Sequence, residues 1–370
     1  MQARFAGRRP HHLPQRSAID PRGPARLGAA LSPTSETDPV TDTRLDVLCI
    51  GNAIVDVIAA TDDDFLAAEG LDKGAMRLID AAEATRLYGR MGPGREISGG
   101  SAGNTAAGVA MLGGRAGFVG QVAADQLGEV YRHDIASLGI EFTTPSRAGD
   151  IPTARSLVLV TPDAQRTMNT FLGAAQLLTP DAIDEDQVKA AGILYLEGYL
   201  WDPETPRAAM ERAIDLARAA GRKVAFTLSD AFCVERHRDG FNTLIDSGRL
   251  DILFANEAEI LSLTGEPDFN SAVASAAARV PLLVVTRSEQ GAVAVQGGDR
   301  VEVSAEPVEA VVDTTGAGDL FAAGFLTGLS QGRSNRDSLR MGAIAAAEVI
   351  SHYGARPEAD LKALVAERLG

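Results

Sequence analysis

From Ala190 onward the chain alternates between short apolar runs and longer amphipathic segments. The apolar runs are ILYLEGYL, KVAFTLS, DILFAN and LLVVTRS, and the amphipathic segments include TPRAAMERAIDLARAAG and EAEILSLTG. A short apolar run is typical of a strand that is buried on both faces, and such strands alternating with helices form a parallel sheet. The sequence therefore predicts an α/β fold with three layers, in which a mostly parallel central sheet is flanked by helices.

Two earlier stretches, at about 56–98 and 141–177, are rich in β patterns that cannot join this sheet in simple order. One of them, TARSLVLVTPDAQRTMNTFLG, has the pattern of a hairpin with its turn at Pro162 and Asp163. We expect both stretches to form a small β-rich lid over one edge of the main sheet, inserted in a single domain of residues 44–370. Residues 1–43 are rich in Arg, Pro and Ser, and their composition predicts a disordered N-terminal extension.

The composition excludes several classes of function. The net charge is -15 and no basic patch is evident, which argues against a nucleic-acid-binding protein. No run approaches the ~18 apolar residues of a membrane span. The two cysteines, Cys49 and Cys233, lie in apolar strand-like contexts without metal-ligand spacing, which predicts buried free thiols. These features favour a cytoplasmic protein that binds small molecules, as a monomer or a homodimer.

The segment DTTGAGD, residues 313–319, places a Gly-Ala-Gly turn before an apolar helix. Gly316, Ala317 and Gly318 would leave backbone N–H groups unpaired at a helix N-terminus, which favours an anion. Asp319 is then either a helix cap or a catalytic base, and an ordinary Asp pKa near 4 would leave it ionised at neutral pH. The spacing excludes a Rossmann fingerprint, because Phe321 stands where a glycine is needed, and no P-loop motif occurs.

A second glycine cluster, SGGSAGNTAAG, spans residues 98–108. Gly99 and Gly100 predict a tight turn, and Asn104 lies in the first turn of the following helix. Asn104 beside open backbone suits a polyhydroxylated ligand, although a flexible turn before a helix is an equal reading. Asp56 is an acid inside an apolar strand run, and its burial requires a partner such as a sugar hydroxyl or a backbone turn.

A third motif, NEAE, directly follows the strand-like run DILFA. Ligands of open α/β sheets bind at the carboxyl ends of strands. Asn256 and Glu259, three residues apart, could hold a hydrated Mg²⁺. The alternative is a capping box, in which Asn256 caps the helix and Glu259 completes the pair.

The order of these motifs along one chain resembles the ribokinase-like (PfkB) family of carbohydrate and nucleoside kinases, over residues 45 to 358. Within that family, GNAIVD and RTMNTFLGAAQLL look most similar to adenosine kinases. The resemblance implies transfer of a phosphoryl group from ATP to the 5′-hydroxyl of adenosine with Mg²⁺ and, in some members, K⁺. The alternatives are a kinase for a free sugar such as ribose or fructose, and a ligand sensor without activity. The intact Asp319 argues against the sensor.

The resemblance also implies roles for individual residues. Asp319 matches the general base, and Gly316, Ala317 and Gly318 match the anion hole for the transferred group. Asp56, Gly99, Gly100 and Asn104 match the positions that hold sugar hydroxyls, and Asn52 matches a position near the nucleobase. The remaining matches are Asn256 and Glu259 for Mg²⁺, Thr286 for a nucleotide phosphate, Asp313 and Thr315 for a monovalent cation, and Arg166 for a movable cation on the lid.

Residues that would sandwich a purine are Met168, Tyr199, Leu200 and Phe232, although each could equally belong to the core. The sequence departs from the family at two places. GYLWDPE is shorter than its counterpart in adenosine kinases, which puts the base-stacking residues in question. Gly342 stands where ribokinases carry an Asn near the adenine of ATP.

Overall fold

The computed structural model describes residues 43–163 and 165–370. The predicted disordered extension therefore lies outside the described residues, except for Thr43. The described strands are β1 Leu45–Ile50, β2 Ile54–Ala60, β3 Met76–Leu78, β4 Gly94–Gly99, β5 Ala116–Val119, β6 Ala154–Val160, β7 Arg166–Phe171, β8 Ala191–Glu197, β9 Lys223–Thr227, β10 Ile252–Asn256, β11 Leu282–Thr286, β12 Ala292–Gln296 and β13 Asp299–Val303. The described helices are α1 Asp63–Glu69, α2 Ala81–Tyr88, α3 Ser101–Met111, α4 Gln126–Ser137, α5 Glu185–Lys189, α6 Glu204–Ala219, α7 Ala231–Asp246, α8 Glu257–Thr264, α9 Phe269–Ala277, α10 Ala317–Ser330, α11 Asn335–Val349 and α12 Leu361–Leu369.

The main sheet has eight strands in the order β13-β12-β11-β10-β9-β8-β1-β5. The strands from β5 to β11 are parallel, and the hairpin β12–β13 adds an antiparallel edge. In β1, Val47 and Cys49 pack into one apolar cluster, while Leu48 and Ile50 pack into the other. Because both faces are covered, the strand needs no polar alternation, and the predicted three-layer α/β fold is confirmed.

A second sheet has five strands in the order β3-β7-β6-β2-β4. It is mixed, because β2 pairs in parallel with β6 but antiparallel with β4. The chain enters this sheet directly from β1, since only Gly51–Ala53 separate β1 from β2. The prediction of a small second sheet built from the early β-rich stretches is confirmed.

The chain crosses between the two sheets at one end of the small sheet. The crossings are at the starts of β2 and β6 and at the ends of β4 and β7. Ile54 pairs with Gly99 on one side and with Ala154 on the other, and Arg155 pairs with Phe171. These positions therefore form one line across the small sheet.

Helices α3 and α10 pack closely at small residues. A Cβ added to Gly108 of α3 would lie 2.6 Å from the Cβ of Ala323 in α10, so a side chain there would separate the helices. Both helices begin at a glycine with positive φ, Gly100 at 82° and Gly316 at 80°, and neither glycine has a side chain to cap the helix. The close crossing brings the two uncapped N-termini to the same region.

Cys49 and Cys233 are free and buried, which confirms the prediction for both thiols. In the part of the chain that the structure describes, no helix is both long enough and apolar enough to cross a membrane.

Candidate functional site

A cavity of about 1110 Å³ opens where the small sheet faces the carboxyl ends of the main-sheet strands and the N-termini of α3 and α10. This is the position at which open α/β sheets bind ligands. The sequence-predicted residues that line the cavity are Asp56, Gly100, Asn104, Met168, Tyr199, Asn256, Glu259, Thr286, Thr315, Gly316, Ala317, Gly318 and Asp319. The structure thus gathers three motifs that are far apart in sequence around one space.

Asp319 lies in the first turn of α10, and its carboxylate is held by α3. Ser101 Oγ donates to Asp319 Oδ1 at 2.6 Å, and Asn104 Nδ2 donates to Oδ2 at 2.9 Å. Within the described residues the carboxylate makes no hydrogen bond to the backbone at the start of α10, so it does not act as a helix cap in this structure. Ser101 was not anticipated from the sequence, although it lies inside the glycine cluster.

Burial raises the pKa of Asp319 above its ordinary value, while the hydrogen bonds from Ser101 and Asn104 and the charge of Arg356 lower it. The expectation of an ordinary Asp pKa did not include this desolvation, which the sequence alone does not give. The carboxylate still has two donors and a nearby cation that favour its charged form.

Asp56 faces the cavity from β2, and burial raises its pKa to about 6. Gly99 lies across the β2–β4 pair, and a Cβ at Gly99 would overlap the Asp56 carboxylate. A Cβ at Gly100 would overlap the carbonyl oxygen of Asn52. The two adjacent glycines are therefore required by close approach, one to Asp56 and the other to the turn after β1.

Asn52 does not line the cavity but supports its wall, because it is bound to Glu197 at the end of β8. Glu197 Oε1 accepts from the backbone N–H and from Nδ2 of Asn52, both at 2.6 Å. Glu197 Oε2 accepts from the N–H of Ala102 in α3 at 2.8 Å. Glu197 is fully buried, and burial raises its pKa to about 7.

Sequence analysis missed Glu197, although the signal that identified Asp56 also applies to it. Both are acids within apolar strand runs and need partners. Glu197 joins the β1–β2 turn to the N-terminus of α3, and a Cβ at Gly51 would overlap its carboxylate.

Asn256 and Glu259 form the capping box that was one of the two predicted readings. Asn256 Oδ1 accepts from Glu259 N at 2.9 Å, and Glu259 Oε2 accepts from Asn256 N at 2.9 Å. Both residues also line the cavity, and burial raises the pKa of Glu259 to about 7. The capping geometry fixes the Glu259 carboxylate at the cavity wall, so capping is compatible with a role toward a ligand.

Arg166 of β7 reaches the segment before α10. It forms a buried ion pair with Asp313, with 2.6 Å between Nη1 and Oδ2, and Nη1 lies 3.2 Å from Thr315 Oγ1. Asp313 Oδ1 also accepts from Thr315 N at 3.1 Å. Arg166 Nε and Nη2 are buried without a hydrogen-bond partner among the described residues. Arg166, Asp313 and Thr315 are thus brought together, with two guanidinium nitrogens left for a further acceptor.

Two of the predicted purine-contacting residues are not in the cavity. Phe232 is 72% exposed and lies outside the cavity lining, near the start of α7. Leu200 is fully buried in the apolar cluster on one face of the main sheet, so the core reading applies to it. Tyr199 does line the cavity, and its hydroxyl donates to the Ser229 carbonyl at 3.3 Å.

Comparison with known proteins identifies the class. The family model described as pfkB family carbohydrate kinase matches residues 44–361, and the chain belongs to this family. It is therefore a kinase, a phosphotransferase with an alcohol group as acceptor, and kinases of this family use ATP.

The relatives of this chain include both adenosine kinases and sugar kinases. The chain is 29% identical to ribokinase from Arabidopsis thaliana, with 71% of this chain and 70% of the relative covered. It is 26% identical to adenosine kinase from Saccharomyces cerevisiae, with 83% and 95% covered. Among solved structures, adenosine kinase from Sinorhizobium meliloti is 51% identical with a TM-score of 0.81, covering 88% of this chain and 99% of that one. A "probable sugar kinase" from Rhizobium etli CFN 42 is 49% identical with a TM-score of 0.82 and the same coverage.

Proposed function

We propose that this kinase phosphorylates the 5′-hydroxyl of adenosine, forming AMP as a step of purine salvage. The proposal is supported by the adenosine kinases among the relatives, of which one solved structure is 51% identical to this chain. The observation that carries it is an apolar surface beside the site, formed by the edge of the small sheet.

Met76 and Leu78 of β3 are 58% and 63% exposed. They pair in register with Met168 and Thr170 of β7, which line the cavity. Side chains of paired residues lie on the same face of a sheet, so Met76 and Leu78 extend the cavity-facing surface. A free sugar would leave these apolar side chains in water, whereas a purine would cover them.

The chemistry of the proposal assigns a role to each group around the cavity. Asp319 would accept the proton of the 5′-hydroxyl as that oxygen attacks the γ-phosphorus of ATP and the bond to the ADP oxygen breaks. The N–H groups at Gly316–Gly318 would stabilise the charge on the transferred group. Asp56 and Asn104 would hold the ribose hydroxyls. Residues 44–370 would form the kinase domain, and the stretches 56–98 and 141–177 would supply a lid that excludes water.

Asn256 and Glu259 fit a Mg²⁺ ion bound through water. The Glu259 carboxylate lies at the cavity wall, and its oxygens keep acceptor capacity beyond the two bonds that they accept from Asn256. In residues 43–163 and 165–370, no three His, Cys, Asp or Glu side chains converge on one metal position. That arrangement suits an ion that keeps several waters and phosphate oxygens as ligands, and bound Mg²⁺ would neutralise charge on ATP.

The second candidate function is a sugar kinase. It is favoured by the ribokinase and "probable sugar kinase" relatives, and by Asp56 and Asn104, which would hold hydroxyls of either acceptor. The two functions differ at the apolar edge of the small sheet, because only a nucleoside has a base to place there.

The first experiment is a panel of acceptors, each assayed for ADP release from ATP and for the phosphorylated product. Adenosine, other nucleosides, ribose and fructose are compared by kcat/KM. We expect adenosine to be preferred over ribose. Equal or higher kcat/KM with a free sugar would replace the nucleoside proposal with the sugar-kinase candidate.

The second experiment replaces the apolar edge with Met76→Ser and Leu78→Ser together. If a purine buries roughly 100 Å² against these side chains, their loss costs about 2.5 kcal/mol, or somewhat under a hundredfold in KM for adenosine. KM for ATP should not change. Ile151→Ser is a matched control, because Ile151 is 47% exposed but lies neither in the cavity lining nor in the β3–β7 pair that extends it. An unchanged KM for adenosine in the double variant would contradict the assignment of this edge to the base.

A further inference from the structure

Arg356 lies in the segment between α11 and α12 and contacts the glycine turn before α3 from both ends. Its Nη2 donates to the Ser98 carbonyl at 2.7 Å and to Ser98 Oγ at 2.8 Å. Its Nη1 donates to the Gly103 carbonyl at 3.2 Å. One planar guanidinium therefore spans the turn that includes Gly99 and Gly100.

The opposite side of Ser98 is held by α4. Asp134 Oδ2 accepts from Ser98 N at 2.8 Å and from the Ser98 hydroxyl. Tyr131, also in α4, donates its hydroxyl to the Gly99 carbonyl at 3.4 Å. The glycine turn is thus fixed between α4 and Arg356. Gly99 and Gly100 themselves carry no side chain that could fix the conformation of the turn.

The same C-terminal segment also contacts the Gly-Ala-Gly turn. Gly354 N donates to Asp313 Oδ2 at 2.9 Å. A Cβ added to Gly316 would lie 2.7 Å from the Cβ of Ala355, so the two backbones pack directly. Residues Gly354–Arg356 therefore join the two glycine turns on either side of the cavity.

The charge of Arg356 is balanced by acids that lie beyond ion-pair distance. Among the described residues, no carboxylate lies within ion-pair distance of its guanidinium, and its Nε is buried without a hydrogen-bond partner. Burial lowers the pKa of Arg356, and the charges of the nearby carboxylates Asp134, Asp56 and Asp319 oppose that effect. A desolvated cation is retained here because several acids surround it.

We propose that Arg356 is a positioning residue for phosphoryl transfer, which holds the acceptor-side glycine turn in place and supplies a buried positive charge near the two cavity acids Asp56 and Asp319. The inference rests on the proposed function, because it takes Asp319 as the base and Asp56 as a hydroxyl-binding group. It adds a role for a residue more than two hundred positions away from the turn it holds.

The electrostatics around the two acids support the assignment. Burial raises the pKa of Asp56; among the nearby charges Arg356 lowers it most, followed by Arg166, while Asp319 and Asp313 raise it. Arg356 is also the charge that lowers the pKa of Asp319, beside the donors Ser101 and Asn104. Other titratable groups that lie near Asp319 in the described part of the chain include Glu197, Tyr195, Tyr199 and Cys49. Arg166 is already paired with Asp313. Removal of Arg356 should therefore raise the pKa of Asp56 and of Asp319 more than removal of Arg166 would.

The test compares Arg356→Met, which removes the charge and the hydrogen bonds, with Arg356→Lys, which keeps the charge but cannot span the turn. Arg333→Met is the control, because Arg333 is an exposed arginine with one bond to Gln331. For each protein, kcat/KM for the preferred acceptor is measured from pH 6 to pH 8. Amide hydrogen exchange of residues 98–103 is measured in the ligand-free protein.

For Arg356→Met we expect the loss in kcat/KM to be at least roughly threefold larger at pH 6 than at pH 8, because the acids now bind protons more readily. Arg356→Lys should have the pH profile of the wild type. In both variants the amide hydrogens of residues 98–103 should exchange faster than in the wild type. Arg333→Met should change neither reading.

An arginine that only packs would lower activity equally at every pH, and that result would overturn the electrostatic role. Wild-type exchange rates in Arg356→Lys would overturn the positioning role, and this variant alone decides that point if Arg356→Met does not fold. Failure of the proposed function is distinguishable, because it shows as a wild type that prefers another acceptor, while the exchange measurement needs no acceptor.

Discussion

Glu197→Gln tests the buried carboxylate that supports the acceptor side of the cavity. The wild-type carboxylate accepts three hydrogen bonds, two from Asn52 and one from Ala102. A Gln can keep its oxygen toward Asn52, but its NH₂ then faces the Ala102 N–H. The unsatisfied buried donors should cost about 1–3 kcal/mol at every pH.

A second effect of the substitution depends on pH. Burial raises the pKa of Glu197 from 4.5 to about 7, so the folded wild type binds this proton more tightly than the unfolded chain does. The contribution of Glu197 to the free energy of unfolding is fully present below pH 4.5 and is lost as the pH rises to about 7. The total change is about 3 kcal/mol, and most of it falls between pH 5 and pH 8. Gln has no such dependence. The variant should therefore be less stable than the wild type at both pH values, and the difference should be clearly larger at pH 5 than at pH 8.

The assay is urea unfolding of both proteins at pH 5, 6, 7 and 8. The fluorescence of Trp201, the only tryptophan, and far-UV circular dichroism should give coincident transitions before free energies are compared. Glu129→Gln on the exposed surface of α4 is the control for removal of a carboxylate outside the site. A stability difference for Glu197→Gln that is the same at pH 5 and pH 8 would refute the reasoning.

Two further substitutions test the other wall of the cavity. Asp319→Asn should keep the fold, because Asn104 Oδ1 is buried without a partner among the described residues and can accept from the new amide. In steady-state kinetics kcat should fall by ~10²-fold or more. Turnover within a few-fold of the wild type would remove the base assignment. Gly316→Ala places a Cβ 2.7 Å from Ala355 at a φ of 80°, which should cost about 1–2 kcal/mol and lower the melting temperature by about 1–3 °C. Gly318→Ala should leave the melting temperature nearly unchanged, since its Cβ would meet nothing within 4 Å, and equal melting temperatures for the two variants would contradict the strain argument.

The architecture was predictable because it follows from local patterns. The apolar runs from β8 to β11 need cover on both faces, and the glycine turns before α3 and α10 are visible as motifs. The grouping of Asp56, Asn104 and Asp319 followed from the family resemblance, which supplies long-range contacts that one sequence does not contain.

What sequence analysis missed depends on packing between distant segments. The Arg356 contacts span 253 to 258 residues, and no local pattern marks that arginine among the other arginines of the chain. The pairing of β3 with β7 could not be read from a three-residue strand, so Met76 and Leu78 were not identified. Phe232 was expected to contact the ligand but lies outside the cavity lining. The sequence shows that a helix follows the strand, but it does not show whether the first turn of that helix faces the cavity.

The line of chain crossings through Ile54, Gly99, Ala154 and Phe171 restricts how the small sheet can move. Because the covalent links lie along one edge, this edge would serve as the axis of any rotation of the small sheet, and the links oppose a translation of the whole sheet. Asp56 is two residues from this axis, about 7 Å, whereas Arg166 is five residues from it, about 17 Å. A swing of about 20° would therefore shift Asp56 by about 2 Å and Arg166 by about 6 Å. In such a rotation the end of the sheet that carries Asp56 would move least and the end that carries Arg166 would move most.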